Sequence, residues 1–161
     1  MASELSNSTG YIDDPSARPR IVAWLGYGGL IPFLALAGLA CVDRERTVLW
    51  HESLRAYGAV ILSFVGALHW GFAMMHGGLA PRQRAAAFGW SVVPALVAFL
   101  ALVVNSSVGD VVLAGGFMAH YWRDRGMAAT AALPAWYLPM RLRLSTVAIL
   151  CLAVGAFGAS W

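Results

Sequence analysis

The feature that most constrains this chain is a series of long apolar runs with few or no charges inside them. The first run, residues 21–40 (IVAWLGYGGLIPFLALAGLA), contains twenty residues and no charged side chain. At a rise of 1.5 Å per residue, such a helix is about 30 Å long, which matches the hydrocarbon layer of a bilayer. The run exceeds the roughly 7–15 apolar residues of a signal peptide. It therefore predicts a transmembrane helix.

Four further runs follow the same pattern and extend the prediction along the chain. They cover residues 54–75, 85–104, 106–122 and 144–160. Pro94 lies near the middle of the third run and predicts a kink, because a membrane helix tolerates proline when neighbours satisfy the freed carbonyl. Together the runs predict an all-α, polytopic membrane helix bundle with five transmembrane helices, formed by residues 21–161.

The composition excludes most other classes of protein. Hydrophobic residues make up 60% of the chain and charged residues only 12%, whereas a soluble domain carries about 25% charged residues. All eleven basic residues are arginines, placed in short groups between the apolar runs, so no basic face for nucleic acid is expected. Residues 1–20 are polar, include acidic side chains, and predict a disordered tail rather than a mitochondrial transit peptide.

The distribution of arginine predicts the orientation. With five crossings, eight arginines share one side of the membrane: Arg18, Arg20, Arg82, Arg84, Arg123, Arg125, Arg141 and Arg143. The other side carries three: Arg44, Arg46 and Arg55. Because arginine is retained on the cytoplasmic side, we expect a cytoplasmic N-terminus and a periplasmic C-terminus in a bacterial inner membrane.

The segment between the last two runs, residues 123–143, predicts a short interfacial hairpin. Pro134 and Pro139 disfavour one continuous helix. Trp136 and Tyr137 are residue types that favour the headgroup layer. A re-entrant loop is the alternative.

Small residues recur at four-residue spacing in the second run and predict a helix contact face. They are Ala59, Ser63, Ala67 and Gly71, with Gly58 and Gly66 on the adjoining face. Membrane helices associate where small residues let backbones approach closely, so this helix should be central. The face serves either folding of one chain or dimerisation, and Ala67→Leu is expected to disrupt the bundle by overpacking.

Apart from Arg55 at the edge of its run, three ionisable residues lie at membrane depth in the apolar runs, where such groups are costly and often functional. His69 lies fifteen residues after Leu54 and His120 fourteen after Ser106, so the two histidines should lie at similar depth. They are candidate ligands of a haem b, or of a quinone site among nearby aromatic rings. The alternative is that His69 bonds across helices and His120 belongs to an aromatic girdle. Asp110 is expected to cap its helix start.

No nucleotide-binding loop, zinc-ligand spacing or nucleophile elbow is present in the sequence. We therefore expect neither catalytic residues nor a metal site, and no cofactor unless the histidine pair binds one. The favoured interpretation is a non-enzymatic accessory or assembly subunit that binds the lipid bilayer and a membrane-protein partner, but no nucleic acid. A small transporter or channel is the weakest alternative, because five helices offer no matched inverted halves.

Two stretches, YGAVILSFVGALHWG (57–71) and LPAWYLPMRLRLS (133–145), resemble a bacterial family of small membrane proteins related to the mitochondrial transmembrane protein 69. The resemblance implies a multi-pass inner-membrane protein of no established activity. It singles out nine residues: Tyr57, Gly66, His69, Trp70, Gly71, Pro134, Trp136, Tyr137 and Arg141. Because the family also accepts arginine at the position of His69, the resemblance weighs against haem ligation.

Overall fold

The computed structural model describes residues 20–75, 77–128 and 133–159, and in these ranges it is an all-helical bundle without strands. The helices are α1 (Arg20–Gly28), α2 (Ile31–Val42), α3 (Thr47–Met75), α4 (Pro81–Val103), α5 (Ser106–Ala128) and α6 (Tyr137–Gly158). The predicted fold class is confirmed. Apart from Arg20, the predicted disordered tail lies outside the described residues.

The first apolar run forms two helices instead of one. Helix α1 ends at Gly28 and α2 begins at Ile31, with Pro32 in its first turn. Proline is well tolerated there because the first helical N–H groups have no partner within the helix. The hydroxyl of Tyr57 donates a hydrogen bond of 2.9 Å to the carbonyl of Gly29, between the two helices. A side chain of α3 thus stabilises the break.

Three helices extend past their apolar runs by six or seven residues. Helix α3 begins at Thr47 rather than at residue 54, α5 continues to Ala128 rather than ending at 122, and α6 begins at Tyr137 rather than at 144. The predicted hairpin of 123–143 therefore shrinks to residues 129–136, of which 129–132 lie outside the described part. Pro139 is accommodated in the first turn of α6, where a missing N–H costs little.

Four helical segments are long and apolar enough to cross a bilayer: Arg20–Val42, Thr47–Met75, Pro81–Val103 and Tyr137–Gly158. Helix α5 has 23 residues, which gives a length of about 34 Å. It is less apolar than these four segments and does not qualify by hydropathy. The chain is a multi-pass membrane protein, while the fifth crossing stays a prediction.

Helix α3 is central, since it packs against α2, α4, α5 and α6. The apolar core is built around its middle: Phe33, Leu54, Leu62, Leu113, Phe117 and Leu152 are all nearly inaccessible. This core separates two groups of buried polar side chains, one at each end of the bundle.

The close contact of α3 lies on the face next to the predicted ladder. Gly66 packs on the ring of Pro94, whose Cβ and Cγ would lie 2.8 Å from a Cβ added at residue 66. Ala59 of the ladder is buried, but Ala67 and Gly71 are exposed, and nothing lies within 4 Å of a Cβ added at Gly71. Within one chain, α3 and α4 therefore make their close contact at Gly66 rather than at Ala67.

Candidate functional site

The first buried polar group, the Asp110 cluster, consists of His51, Arg55 and Asp110. Nε2 of His51 donates a hydrogen bond of 2.9 Å to Oδ2 of Asp110, and Nε of Arg55 lies 3.6 Å from Oδ1. Nη2 of Arg55 also donates to the carbonyls of Ala101 and Val104 at the end of α4. These carbonyls lack partners within their helix. The cluster therefore joins α3, α4 and α5, although Nε of Arg55 and Oδ1 of Asp110 have no hydrogen-bond partner among the described residues.

Asp110 does not cap its helix, contrary to the expectation. The side chain of Asn105 takes that role, because its Oδ1 accepts a hydrogen bond of 3.0 Å from the N–H of Val108. Asp110 lies one turn further on and points at α3, where it is buried with His51 and Arg55.

The second group, the Asp124 cluster, consists of His69, His120, Asp124 and Arg141, from α3, α5 and α6. Nε of Arg141 donates a hydrogen bond of 2.9 Å to Oδ2 of Asp124. Oδ1 of Asp124 lies 3.5 Å from Nε2 of His69 and 3.8 Å from Nε2 of His120. The side chains of His69, His120 and Asp124 are 0% exposed. The two histidines lie close together, with their ring centroids 4.8 Å apart.

Most polar atoms of the Asp124 cluster lack a hydrogen bond. Among the described residues, no hydrogen bond of acceptable geometry reaches either ring nitrogen of His69, Nε2 of His120, Oδ1 of Asp124 or Nη2 of Arg141. A buried polar atom without a partner costs about 1–3 kcal/mol. Such convergence of unpartnered atoms is unusual in a folded interior and marks this cluster as the candidate site.

The orientation of His120 is set by a fourth helix. Nε1 of Trp90, on α4, donates a hydrogen bond of 3.2 Å to Nδ1 of His120. A neutral imidazole has one donor and one acceptor nitrogen, so Nε2 of His120 carries the proton in this arrangement. Nε2 of His120 lies 3.8 Å from Oδ1 of Asp124.

The Asp124 cluster offers ligands for a small ion rather than for a haem. One ligand atom from each of His69, His120 and Asp124 lies within 4.8 Å of the others. A haem held by both histidines would place its macrocycle between the two rings. Here the rings meet edge to face at 67°, with the carboxylate of Asp124 beside both. The arrangement does not fit a bis-histidine haem.

Residues of the two family-like stretches lie around this cluster. Tyr137 is buried and packs its ring against Phe72 of α3, and Trp136 is the residue before α6. The carbonyl of Pro134 accepts a hydrogen bond of 2.9 Å from the N–H of Tyr137. The turn at residues 134–136 thus starts α6 in the position that brings Arg141 to Asp124.

Two of the singled-out residues lie away from the cluster. Trp70 is half exposed and packs on Phe88 of α4, with ring centroids 5.0 Å apart. Gly71 faces outward. Neither contributes a polar atom to the candidate site.

Sequence reasoning missed Asp124, His51 and Arg55 as buried residues, because each lies at the end of an apolar run and was assigned to a loop or to a helix edge. One signal was available for Asp124. It follows His120 by four residues, and residues i and i+4 share one helix face. The same spacing links His51 to Arg55.

An apolar cavity of about 110 Å³ lies beside the Asp124 cluster, between α1, α2, α3 and α6. Its lining is mostly aliphatic and aromatic, including Leu30, Phe33 and Phe64, while Arg141 and Ser145 are its charged and hydroxyl-bearing residues. Oγ of Ser145 has no hydrogen-bond partner within the described ranges.

Comparison with known proteins gives a family but no activity. The model of the family described as "Protein of unknown function (DUF3429)" matches residues 18–157. The chain is similar to Transmembrane protein 69 of Xenopus tropicalis, with 33% identity over 147 residues. That match covers 83% of this chain and 53% of the relative, so the chain spans about half the length of the curated relative. No solved structure matches.

Proposed function

Because this chain belongs to the DUF3429 family of proteins of unknown function, we propose its role from the surface it presents to the membrane: a non-enzymatic accessory or assembly subunit of a larger inner-membrane complex. The observation that carries the proposal is the outward face of α5. This face combines exposed Val111, Met118 and Trp122 with small residues at Gly115 and Ala119.

The outward faces of α4 and α5 differ in kind. Helix α4 exposes large apolar side chains, including Leu96, Phe99 and Val103, which suit lipid. No atom lies within 4 Å of a Cβ added at Gly115 of α5. Small residues on a membrane helix favour close approach of another helix. The less apolar α5 is thus the side at which we place a protein partner.

The same proposal includes five crossings with a cytoplasmic N-terminus. Helix α5 runs alongside α3 in the same direction, because Asp110 contacts His51 and Asp124 contacts His69. The distance from Asp110 to Asp124 along the helix is about 21 Å, so α5 extends through most of the bundle. Arg55 and Arg141 are buried, and leaving them out still gives seven arginines against two. The C-terminus is therefore expected in the periplasm. A reporter that works only in the periplasm should be active when it is fused after Trp161, and a reporter that works only in the cytosol should be inactive there.

Site-specific photocrosslinking tests the partner. A photoreactive residue at Ala119 should yield a discrete crosslink to a second membrane protein in native membranes, and purification in mild detergent should retain that protein. The matched control is the same probe at Phe99 of α4, which should react with lipid alone. A chain that crosslinks only to itself or to lipid from both positions would refute the proposal.

A quinone site is the second candidate function, and the cavity beside Arg141 favours it. A quinone combines an apolar body with carbonyl acceptors, and the unpartnered Nη2 of Arg141 and Oγ of Ser145 are donors. Quinone that copurifies with the wild type should be lost from Ser145→Ala, whereas Thr146→Ala, at an exposed neighbouring position, should retain it. Equal quinone content in both variants would remove this candidate.

A further inference from the structure

We propose that the Asp124 cluster binds one divalent transition-metal ion through His69, His120 and Asp124. This inference is independent of the accessory role. It concerns the interior of the bundle, and the observation behind it is the set of unpartnered ligand atoms that meet there.

The spacing of these atoms fits one ion. Tetrahedral zinc binds nitrogen and oxygen at about 2.0–2.2 Å, so neighbouring ligand atoms lie about 3.4 Å apart. The distances of 3.5 and 3.8 Å from Oδ1 of Asp124 to the two Nε2 atoms are close to this value. All three ligand atoms lie within 4.8 Å of one another, so side-chain shifts would bring them to this spacing, and three protein ligands leave a fourth position open.

Arg141 is a positioning residue in this arrangement. Its Nε holds Oδ2 of Asp124 at 2.9 Å, which leaves Oδ1 turned toward the histidines. Carboxylate ligands of metals are commonly fixed by such an outer hydrogen bond.

Two imidazoles and one carboxylate select the class of ion. Imidazole suits zinc, iron, cobalt and copper, whereas calcium and magnesium prefer sites made of oxygen alone. Asp124 lies four residues before the end of α5, about 6 Å along the helix. An ion therefore needs to travel about one helical turn inward from the membrane surface.

Binding requires a change at Trp90. The proton on Nε2 of His120 must move to Nδ1 to free the ligand lone pair, and Nδ1 then no longer accepts the indole N–H. Trp90 must turn away, with no net proton released by His120. The hydrogen bond between Trp90 and His120 thus competes with the metal.

Metal titration of the full chain in detergent tests the proposal. A background of His76→Gln removes a histidine outside the described residues. After chelation, we expect one Co²⁺ per chain with the visible absorption of a four-coordinate site, and competition by Zn²⁺. His69→Gln should weaken binding at least tenfold, while the control His51→Gln in the Asp110 cluster should leave it unchanged. No binding by the starting protein, or equal binding by both variants, would overturn the site.

Trp90→Phe provides a second test that does not depend on the stability of a ligand variant. Losing the competing hydrogen bond should tighten Co²⁺ binding about 2–10-fold, the equivalent of one ordinary hydrogen bond. A cluster that serves packing alone would gain no affinity from this change. Unchanged or weaker binding by folded Trp90→Phe would overturn ligation by His120.

Discussion

The two polar clusters contain the same types of side chain, histidine, aspartate and arginine, but they differ in how many of their atoms have partners. In the Asp110 cluster, His51 and Arg55 both contact the carboxylate, and Arg55 also binds the end of α4. In the Asp124 cluster, Arg141 donates to Asp124 and Trp90 donates to His120, but among the described residues five of its polar atoms lack a hydrogen bond, against two in the Asp110 cluster. A buried charge therefore does not by itself indicate a ligand site. The larger number of unpartnered polar atoms around Asp124 distinguishes the candidate site.

The largest effect should come from Arg55→Leu. This variant leaves Asp110 with one partner and the carbonyls of Ala101 and Val104 with none, and removal of one member of a buried ion pair costs about 3–5 kcal/mol. Thermal unfolding in detergent should show the loss. Arg46→Leu, at an exposed position, should leave the midpoint unchanged. Equal midpoints in the two variants would show that the Asp110 cluster does not stabilise the bundle.

Gly109→Ala should destabilise the bundle at the Asp110 cluster by about 3 kcal/mol, which is near the maximum of the usual cost of overpacking. A Cβ at this position would collide with Nη2 of Arg55 and with the backbone carbonyl of Ala101. Gly115→Ala, on the open side of α5, should be neutral or stabilising by up to about 1 kcal/mol. Chemical denaturation of both variants measures the difference, and a stable Gly109→Ala would contradict the packing described.

Replacing a histidine by leucine should have opposite effects in the two clusters. His51→Leu removes a hydrogen bond to a carboxylate and should cost about 2 kcal/mol. His69→Leu, tested on metal-free protein, removes a buried side chain whose nitrogens have no partner, so stability should stay equal or rise. The unfolding midpoints of the two variants test this prediction. A larger loss of stability in His69→Leu than in His51→Leu would contradict it.

The smallest effect should come from Ala67→Leu. The sequence predicted a strong disruption, but Ala67 is exposed in the structure, and exposed substitutions stay within about 0.5 kcal/mol. Gly66→Leu, directed at Pro94, should destabilise the monomer clearly and displace α4, which carries Trp90. If Ala67→Leu lowers the yield as much as Gly66→Leu does, the Ala67 face is buried in an assembly.

The hydropathy pattern predicted the positions of the helices, but it missed those helix ends at which ionisable residues extend the helix beyond the apolar run. The runs of 54–75, 106–122 and 144–160 stop short of His51, Asp124 and Arg141, and these are the residues that build the clusters. A hydropathy value describes an isolated side chain in lipid. A paired charge inside a bundle costs far less, and the partners belong to other helices that no single window contains.

The histidine pair was predictable because depth follows from counting residues along each run. The prediction that His69 and His120 lie at similar depth required only that their two helices run in the same direction. Asp110 was misassigned since a carboxylate near a helix start has a common local role, and only the tertiary structure shows Asn105 in that role instead.

The hydrogen bond from Tyr57 to Gly29 has a consequence for biogenesis. The partner that stabilises the break between α1 and α2 is on α3, which is synthesised later. Pro32 disfavours a continuous helix from the start, and we expect the break between α1 and α2 to be fixed in place only after α3 has inserted beside residues 20–42. A peptide that stops before Tyr57 would then hold the two helices in a less defined arrangement.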